Sequence, residues 1–216
     1  MSGIGEASLV LGIISSILSI IDAAKQVYET LEDEAGLPTN FKKSATKLPL
    51  ISKLLEDAGR YVNAADESTK AAFIPTLQDC EGQTTKLKEL FVKVIPEESD
   101  SRWDRYVKAA RTIGKGGRVE SLVGGILDDL QLLATRFPDI TTLSEKDQLA
   151  KAIEEVTKME PSLPDGFEQT PAYVHYGSGA QNIITSGGTQ NNYSNNGPGQ
   201  QYLYIGTNHI GTLSKP

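Results

Sequence analysis

The sequence predicts an all-α fold, a bundle of about five to six helices followed by a C-terminal tail of different composition. Apolar residues before position 160 recur at three- and four-residue spacing, and no stretch there alternates with the period of two of a half-buried strand. Every Asp and Glu, and all but one of the Lys and Arg, precede Thr170, so Lys215 is the single full charge beyond it. The chain therefore joins a charged helical body to an uncharged tail rich in Gly, Asn, Gln and Tyr.

Breaks in the apolar pattern divide the body into helices. The first pattern runs from Val10 to Leu31 and stops at Gly36. The second begins with Pro38 in its first turn and continues towards residue 61, and Pro49 is expected to kink or interrupt it.

The third helix is expected over residues 67–95, with a bend at Pro75. Its predicted inner residues share helical spacing and are Leu77, Cys80, Thr84, Leu87, Phe91 and Val94. A fourth helix is expected to start at Pro96 and end at Gly114. The fifth spans residues 122–137 before Pro138, and the sixth spans residues 144–159, with a capping box from Ser144 to Asp147.

The first helix has the composition of a conditional membrane segment. Residues 7–21 carry no charge, but no basic segment precedes them, and a constitutive span needs about 20 apolar residues, so we expect the resting helix to be central and wrapped by the others. The residues assigned to membrane targeting are Leu9, Val10, Gly12, Ile13, Ile14, Ile17, Leu18, Ile20 and Ile21. A seam of small residues that would let a second helix approach closely comprises Gly5, Ser8, Gly12, Ser15 and Ser19.

A basic run follows in the fourth helix and the loop after it. Its members are Arg102, Arg105, Lys108, Arg111, Lys115 and Arg118, and Asp104 alone opposes them. Two interpretations stay open: a contact with anionic lipid headgroups, or an ordinary solvated helix face. The formal net charge of -7 argues against nucleic acid as a partner, because phosphate binding needs a basic excess.

The sequence gives little support for an enzyme. Both histidines, His175 and His209, lie in the tail, so neither can form a preorganised pair with Cys80 inside the bundle. The glycine-rich segment around Lys115 lacks the upstream glycine and the following Ser or Thr of a phosphate-binding loop. We therefore expect no catalytic residue, cofactor or metal site. The single cysteine excludes a disulfide framework and fits the cytosol.

The chain beyond the body divides into a Pro- and Gly-rich linker, residues 161–172, and a prion-like segment, residues 173–213. A loose repeat in that segment involves Gly179, Gln181, Asn182, Gly188, Gln190, Asn191, Gly199, Gln200 and Tyr202, with β-prone patches at 183–184 and at 202–205, which ends at Ile205. Uncharged Asn and Gln ladders favour cross-β stacking between copies. We expect an amyloid-forming tail that is disordered before assembly.

Several segments of the body resemble the fungal SesA-type domain, a HeLo-like helical domain of NACHT and other STAND receptors and of death-pathway proteins. They are GIISSI at 12–17, Asp22 with QVY at 26–28, GLP at 36–38, WDRY at 103–106, GKGGRVE at 114–120 and ILDDLQLL at 126–133. The resemblance covers residues 1–160. The tail repeat resembles the sigma, or SesB-type, amyloid signalling motif, and a pseudo-palindromic motif of the same fungal class is the alternative.

The resemblance implies a programmed-cell-death effector of fungal innate immunity and heterokaryon incompatibility. A NACHT or STAND receptor with a matching motif would template the tail, and the helical domain would then permeabilise membranes by contact with anionic lipids. The protein would be cytoplasmic at rest and move to the plasma membrane on activation. The alternative is a non-lytic adaptor whose bundle binds other proteins in receptor signalling.

Overall fold

The computed structural model describes residues 6–30, 36–95, 101–168, 201–204 and 210–213. The chain divides into two units, residues 1–170 and 171–216. Within the described part of the first unit the elements are α1 (Glu6–Glu29), α2 (Thr39–Ala45), α3 (Leu48–Ala64), α4 (Glu67–Val94), α5 (Arg102–Ile113), α6 (Val119–Arg136), a 3-10 helix (Pro138–Ile140) and α7 (Leu143–Thr157). The all-α bundle is confirmed.

The two prolines that the sequence places inside predicted helices have different outcomes: one predicted helix is split and the other continues. The second helix is split into α2 and α3, and Pro49 lies in the first turn of α3, where its missing amide costs no hydrogen bond. Pro75, in contrast, lies inside α4, which continues through it. All six predicted inner residues of α4, from Leu77 to Val94, are buried.

Two predicted helix starts are wrong. The fourth predicted helix, α5, begins at Arg102 rather than at Pro96, because the Ser101 hydroxyl accepts a hydrogen bond from the Asp104 amide at 3.1 Å. The capping box of α7 starts at Thr142 rather than at Ser144. Its Glu145 carboxylate accepts a hydrogen bond from the Thr142 amide at 2.8 Å.

Helix α4 is the centre of the packing and contacts α1, α5 and α6. Aromatic rings fill the core at both of its ends. The centroids of Phe41 and Phe91 lie 4.5 Å apart, and those of Phe73 and Phe137 lie 4.4 Å apart. Such offset pairs add stabilisation to the burial of the rings themselves.

Residues 161–168, predicted as the start of the linker, pack against the bundle. Leu163 and Phe167 retain only 3% and 5% of their exposure, and both belong to the same hydrophobic core as the helices. We call residues 161–168 the strap. The described bundle therefore extends past the expected boundary at residue 160.

The second unit contains a two-stranded antiparallel sheet among its described residues, β1 (Gln201–Tyr204) and β2 (Ile210–Leu213). The register pairs Gln201 with Leu213 and Tyr204 with Ile210. Strand β1 overlaps the predicted β-prone patch 202–205 at residues 202–204 and so includes Tyr202. The other repeat residues, from Gly179 to Gln200, and Ile205 lie outside the described residues, as do the 183–184 patch and the linker beyond Glu168.

Candidate functional site

Helix α1 has two contrasting faces. One face is buried against α3 and α4 and carries five of the residues predicted to target membranes, Val10, Ile13, Ile14, Ile17 and Ile21, none more than 8% exposed. The other face is open: Leu9 is 45% exposed, while Leu18 and Ile20 are half-buried. The expectation that the other helices wrap α1 is therefore wrong, because its neighbours cover one side.

The small-residue seam lies on that open face. Ser8, Gly12, Ser15 and Ser19 are exposed, while Gly5 lies outside the described residues. A Cβ atom built on Gly12 would meet nothing within 4 Å. Packing within the bundle therefore does not explain why position 12 carries a small residue.

Length and composition also distinguish α1. Its segment Ser8–Glu29 is long and apolar enough to cross a membrane, and no other helix of the described residues passes that test. At a rise of 1.5 Å per residue, 22 residues span about 33 Å, against a hydrocarbon core of about 30 Å. A core helix of a soluble protein passes the same test, so the open face supplies the more informative observation.

The basic run serves internal contacts at three of its positions. The Arg105 guanidinium is buried and its Nε donates to the Val94 carbonyl at 3.0 Å. The Nε of Arg111 donates to the Phe167 carbonyl at 3.2 Å. Arg118 donates to Asp165 at 2.7 Å and its guanidinium lies 5.4 Å from the Phe167 ring centroid. These side chains hold the strap and the end of α4 rather than forming a free lipid-facing surface.

A cluster of buried polar groups holds the strap against the bundle through hydrogen bonds. The Glu120 carboxylate, 8% exposed, accepts hydrogen bonds from the Ser162 amide and hydroxyl, both at 2.8 Å. The Tyr106 hydroxyl lies 2.5 Å from the Ser162 hydroxyl and accepts from the Val119 amide at 3.2 Å. Burial raises the pKa of Tyr106 to about 12, so the phenol stays neutral at physiological pH. Sequence reasoning missed this cluster because its partners are far apart along the chain.

The remaining candidates have structural explanations. Burial raises the pKa of the Cys80 thiol to about 12, which leaves it unreactive. The glycine-rich loop is a tight turn: Gly114 and Gly116 have positive φ, and a Cβ on Gly117 would lie 2.3 Å from the Ala110 carbonyl oxygen. In the described part of the chain, no group of three His, Cys, Asp or Glu side chains is placed to hold a metal.

One of three comparisons with known proteins identifies a family. No curated protein and no solved structure matches the chain. The family model SesA, described as an N-terminal domain on NACHT NTPases and P-loop NTPases, matches residues 14–133. The match covers more than half of the chain and runs from within α1 to within α6. The chain therefore belongs to the SesA family.

Proposed function

We propose that this protein is a non-enzymatic effector of cell-death signalling, which acts on membranes through α1 after a NACHT receptor activates it. Membership of a family found on NACHT NTPases supports the signalling role. The observation that carries the membrane role is the open face of α1, where exposed small residues lie on a helix of membrane-spanning length. The protein is proposed to be cytoplasmic at rest and at the plasma membrane once activated.

The energetics favour a conditional rather than a constitutive insertion. The nine Leu, Ile and Val residues of 9–21 contribute about -0.3 to -0.6 kcal/mol each, or roughly -4 kcal/mol together, to insertion. The five buried aliphatic side chains of α1 are already shielded from water by the core, so moving them into lipid gains little and loses their packing contacts. Helix α1 is therefore expected to stay in the resting bundle until another interaction weakens its packing.

The strap offers a route for that weakening. It leads directly from the buried contacts of Leu163 and Phe167 into the uncharged tail. In this proposal, a receptor with a matching amyloid motif templates cross-β stacking of the tail, and crowding of the bundles then strains the strap. Loss of its hydrogen bonds to Glu120 and Arg111 would loosen the α5–α6 side of the core.

Leakage of liposomes by the tail-assembled full chain tests the membrane role. Gly12→Leu is expected to reduce leakage, because a large side chain on the seam prevents close approach of neighbouring α1 helices. The matched control is Gly82→Leu on α4, since both glycines are exposed and a Cβ on either would meet nothing within 4 Å.

Equal leakage by the folded Gly12→Leu and Gly82→Leu proteins would contradict the close-packing mechanism. Unchanged toxicity after deletion of residues 2–21 would instead favour the adaptor function.

Tail assembly is checked separately with Gln190→Pro and Ile205→Pro, each of which removes a ladder amide and is expected to abolish fibrils. A peptide of residues 172–216 that stays monomeric, with no cross-β diffraction after long incubation at high concentration, would remove the proposed trigger.

A further inference from the structure

The strap lies on the bundle as a small unit with its own internal turn. Leu163 and Phe167 are its apolar anchors, with 3% and 5% of their surface exposed. Between them the Phe167 amide donates to the Pro164 carbonyl at 3.3 Å, and Gly166 has a φ of +74°, which favours glycine. The Asp165 side chain, in the same turn, is 97% exposed. The strap therefore binds the bundle as a peptide with two buried anchors and an exposed bend.

The bundle contacts the strap through polar side chains that we call the strap site: Tyr106, Arg111, Arg118 and Glu120. The Glu120 carboxylate is 8% exposed and accepts three hydrogen bonds from the Ser162 amide and hydroxyl, at 2.8 to 3.0 Å. Departure of the strap removes these donors, and a buried carboxylate without donors costs free energy. An open strap site therefore favours a second segment with the same donors and anchors.

A short connection joins the strap to the rest of its chain. Helix α7 ends at Thr157, and residues 158–160 lead from it into the strap. The Asn40 amide nitrogen donates to the Glu160 carbonyl at 2.5 Å and holds this connection on the bundle. Once released, three extended residues reach about 10 Å, which allows the strap to cross to a bundle lying alongside. Exchange of identical segments re-forms each contact in the partner, so the local concentration of copies decides its extent.

We propose that the strap site of one copy accepts the strap of a second copy, so that neighbouring bundles exchange straps. A second copy is the fitting occupant because its strap carries the same amide, hydroxyl and apolar anchors that the site already holds. The inference goes beyond the proposed function: stacked tails would raise the local concentration of bundles, but exchange itself requires neither lipid nor stacked tails.

A mixture of two charge-reversed chains tests the exchange. Arg118 of the strap site contacts Asp165 of the strap at 2.7 Å. Arg118→Asp and Asp165→Arg each place like charges at this contact within one chain, whereas exchange between the two variants gives opposite charges at both contacts. Full chains that also carry Gln190→Pro, to keep the tails from stacking, are mixed at high concentration, centrifuged and analysed by native mass spectrometry. We expect at least about fivefold more dimer in the mixture than in either variant alone, because each exposed ion pair contributes a factor of about two to five.

Both substitutions suit the fold, and two controls accompany them. Arg118 is the N-cap of α6, where Asp is a preferred residue, and Asp165 is exposed. A chain with both substitutions restores opposite charges within itself and should dimerise no more than the parent. A mixture of Lys86→Asp with Asp147→Arg has the same net charges, changes exposed residues outside the strap and the strap site, and should form no extra dimer. An equal gain of dimer in that control mixture would contradict the proposal.

A synthetic peptide of residues 159–168 distinguishes exchange from a contact between outer surfaces. In excess it should compete with exchanged straps and dissociate the heterodimers, whereas the same peptide with Phe167→Asp should not, because it lacks an apolar anchor. The labelled parent peptide should also bind the Asp165→Arg chain at least about fivefold more tightly than the parent chain, because Arg118 repels that chain's own strap. Heterodimers that neither peptide affects, or equal binding of the peptide by the two chains, would overturn the exchange. These measurements involve no lipid, so they leave the proposed membrane function to the leakage assay.

Discussion

The two longest helices, α1 and α4, lie side by side and contribute similar inner faces to the core. Helix α1 has 24 residues and α4 has 28. Ile17 of α1 and Leu87 of α4 are both completely buried. The inner faces alone therefore do not explain why one of the two helices has the composition of a membrane segment and the other does not.

The outer faces of α1 and α4 account for their difference in composition. From residue 7 to residue 21, α1 carries no charge, and its outer residues are small or apolar. Residues 79–93 of α4, in contrast, include six charged side chains: Asp79, Glu81, Lys86, Lys88, Glu89 and Lys93. A helix that only faces water gains solubility from such charges, so the composition of α1 fits a second environment as well as the bundle.

The largest expected change in stability tests whether the inner faces of α1 and α4 contribute equally to the core. Ile17→Ala and Leu87→Ala each leave a cavity in the core, and each should lower the free energy of unfolding by about 3 kcal/mol. Urea unfolding of the full chain, followed by far-UV circular dichroism, measures both losses. A loss below about 1 kcal/mol for Ile17→Ala alone would show that α1 is loosely held even at rest.

The inner faces were also the most predictable part of the molecule. Spacing alone placed six of the ten buried residues of α4, because a helix of 28 residues repeats its pattern many times. Helix starts were harder: Thr142 and Ser144 both precede an acidic residue by three positions, and the interactions that decide between them are not visible in the sequence.

The strap and the basic run were missed for a different reason. Prolines and a glycine in the strap are typical of a linker, and only tertiary packing shows that Phe167 is buried. Arg111 and Arg118 bind acceptors about 50 residues away along the chain, which a local charge pattern does not reveal. The open face of α1 likewise depends on which helices surround it.

An intermediate effect concerns the far side of α4, where it meets α6. Asp129 accepts a hydrogen bond from Gln83 at 3.0 Å, and burial, with the nearby charges of Asp79 and Asp128, raises its pKa from 3.8 to about 6. Because the folded-state pKa is the higher one, this carboxyl favours folding below about pH 4, and that contribution is lost as the pH rises through 6.

Asp129→Asn removes that titration and keeps an acceptor for Gln83. Partial solvent exposure reduces the expected gain to about 1 kcal/mol above pH 6, with little gain below about pH 4. Thermal unfolding of the variant and the parent across this pH range measures the difference. A constant difference at all pH values would contradict the raised pKa.

A smaller effect compares the two exposed glycines. Gly12→Ala and Gly82→Ala should each raise the free energy of unfolding by about 0.5 to 1 kcal/mol, because alanine loses less backbone entropy in a helix and neither new Cβ meets a neighbour. Urea midpoints of the two variants should shift together. Destabilisation by Gly12→Ala alone would mean that another part of the chain packs on the seam.

The smallest expected change in stability comes from adding one charge to the outer face of α1 or of α4. The same pair of substitutions tests whether the outer face of α1 enters lipid. Ser15→Lys on α1 and Thr85→Lys on α4 both place a charge on an exposed helical surface, so each should change the free energy of unfolding by less than about 0.5 kcal/mol. In a membrane the two differ, because a lysine at the centre of a spanning helix costs about 2.5 to 3.5 kcal/mol. We therefore expect Ser15→Lys to suppress leakage by the tail-assembled chain and Thr85→Lys to leave it unchanged. Similar leakage by the two folded variants would show that the uncharged face of α1 never enters lipid, and the contrast with α4 would then need an explanation in protein–protein contacts.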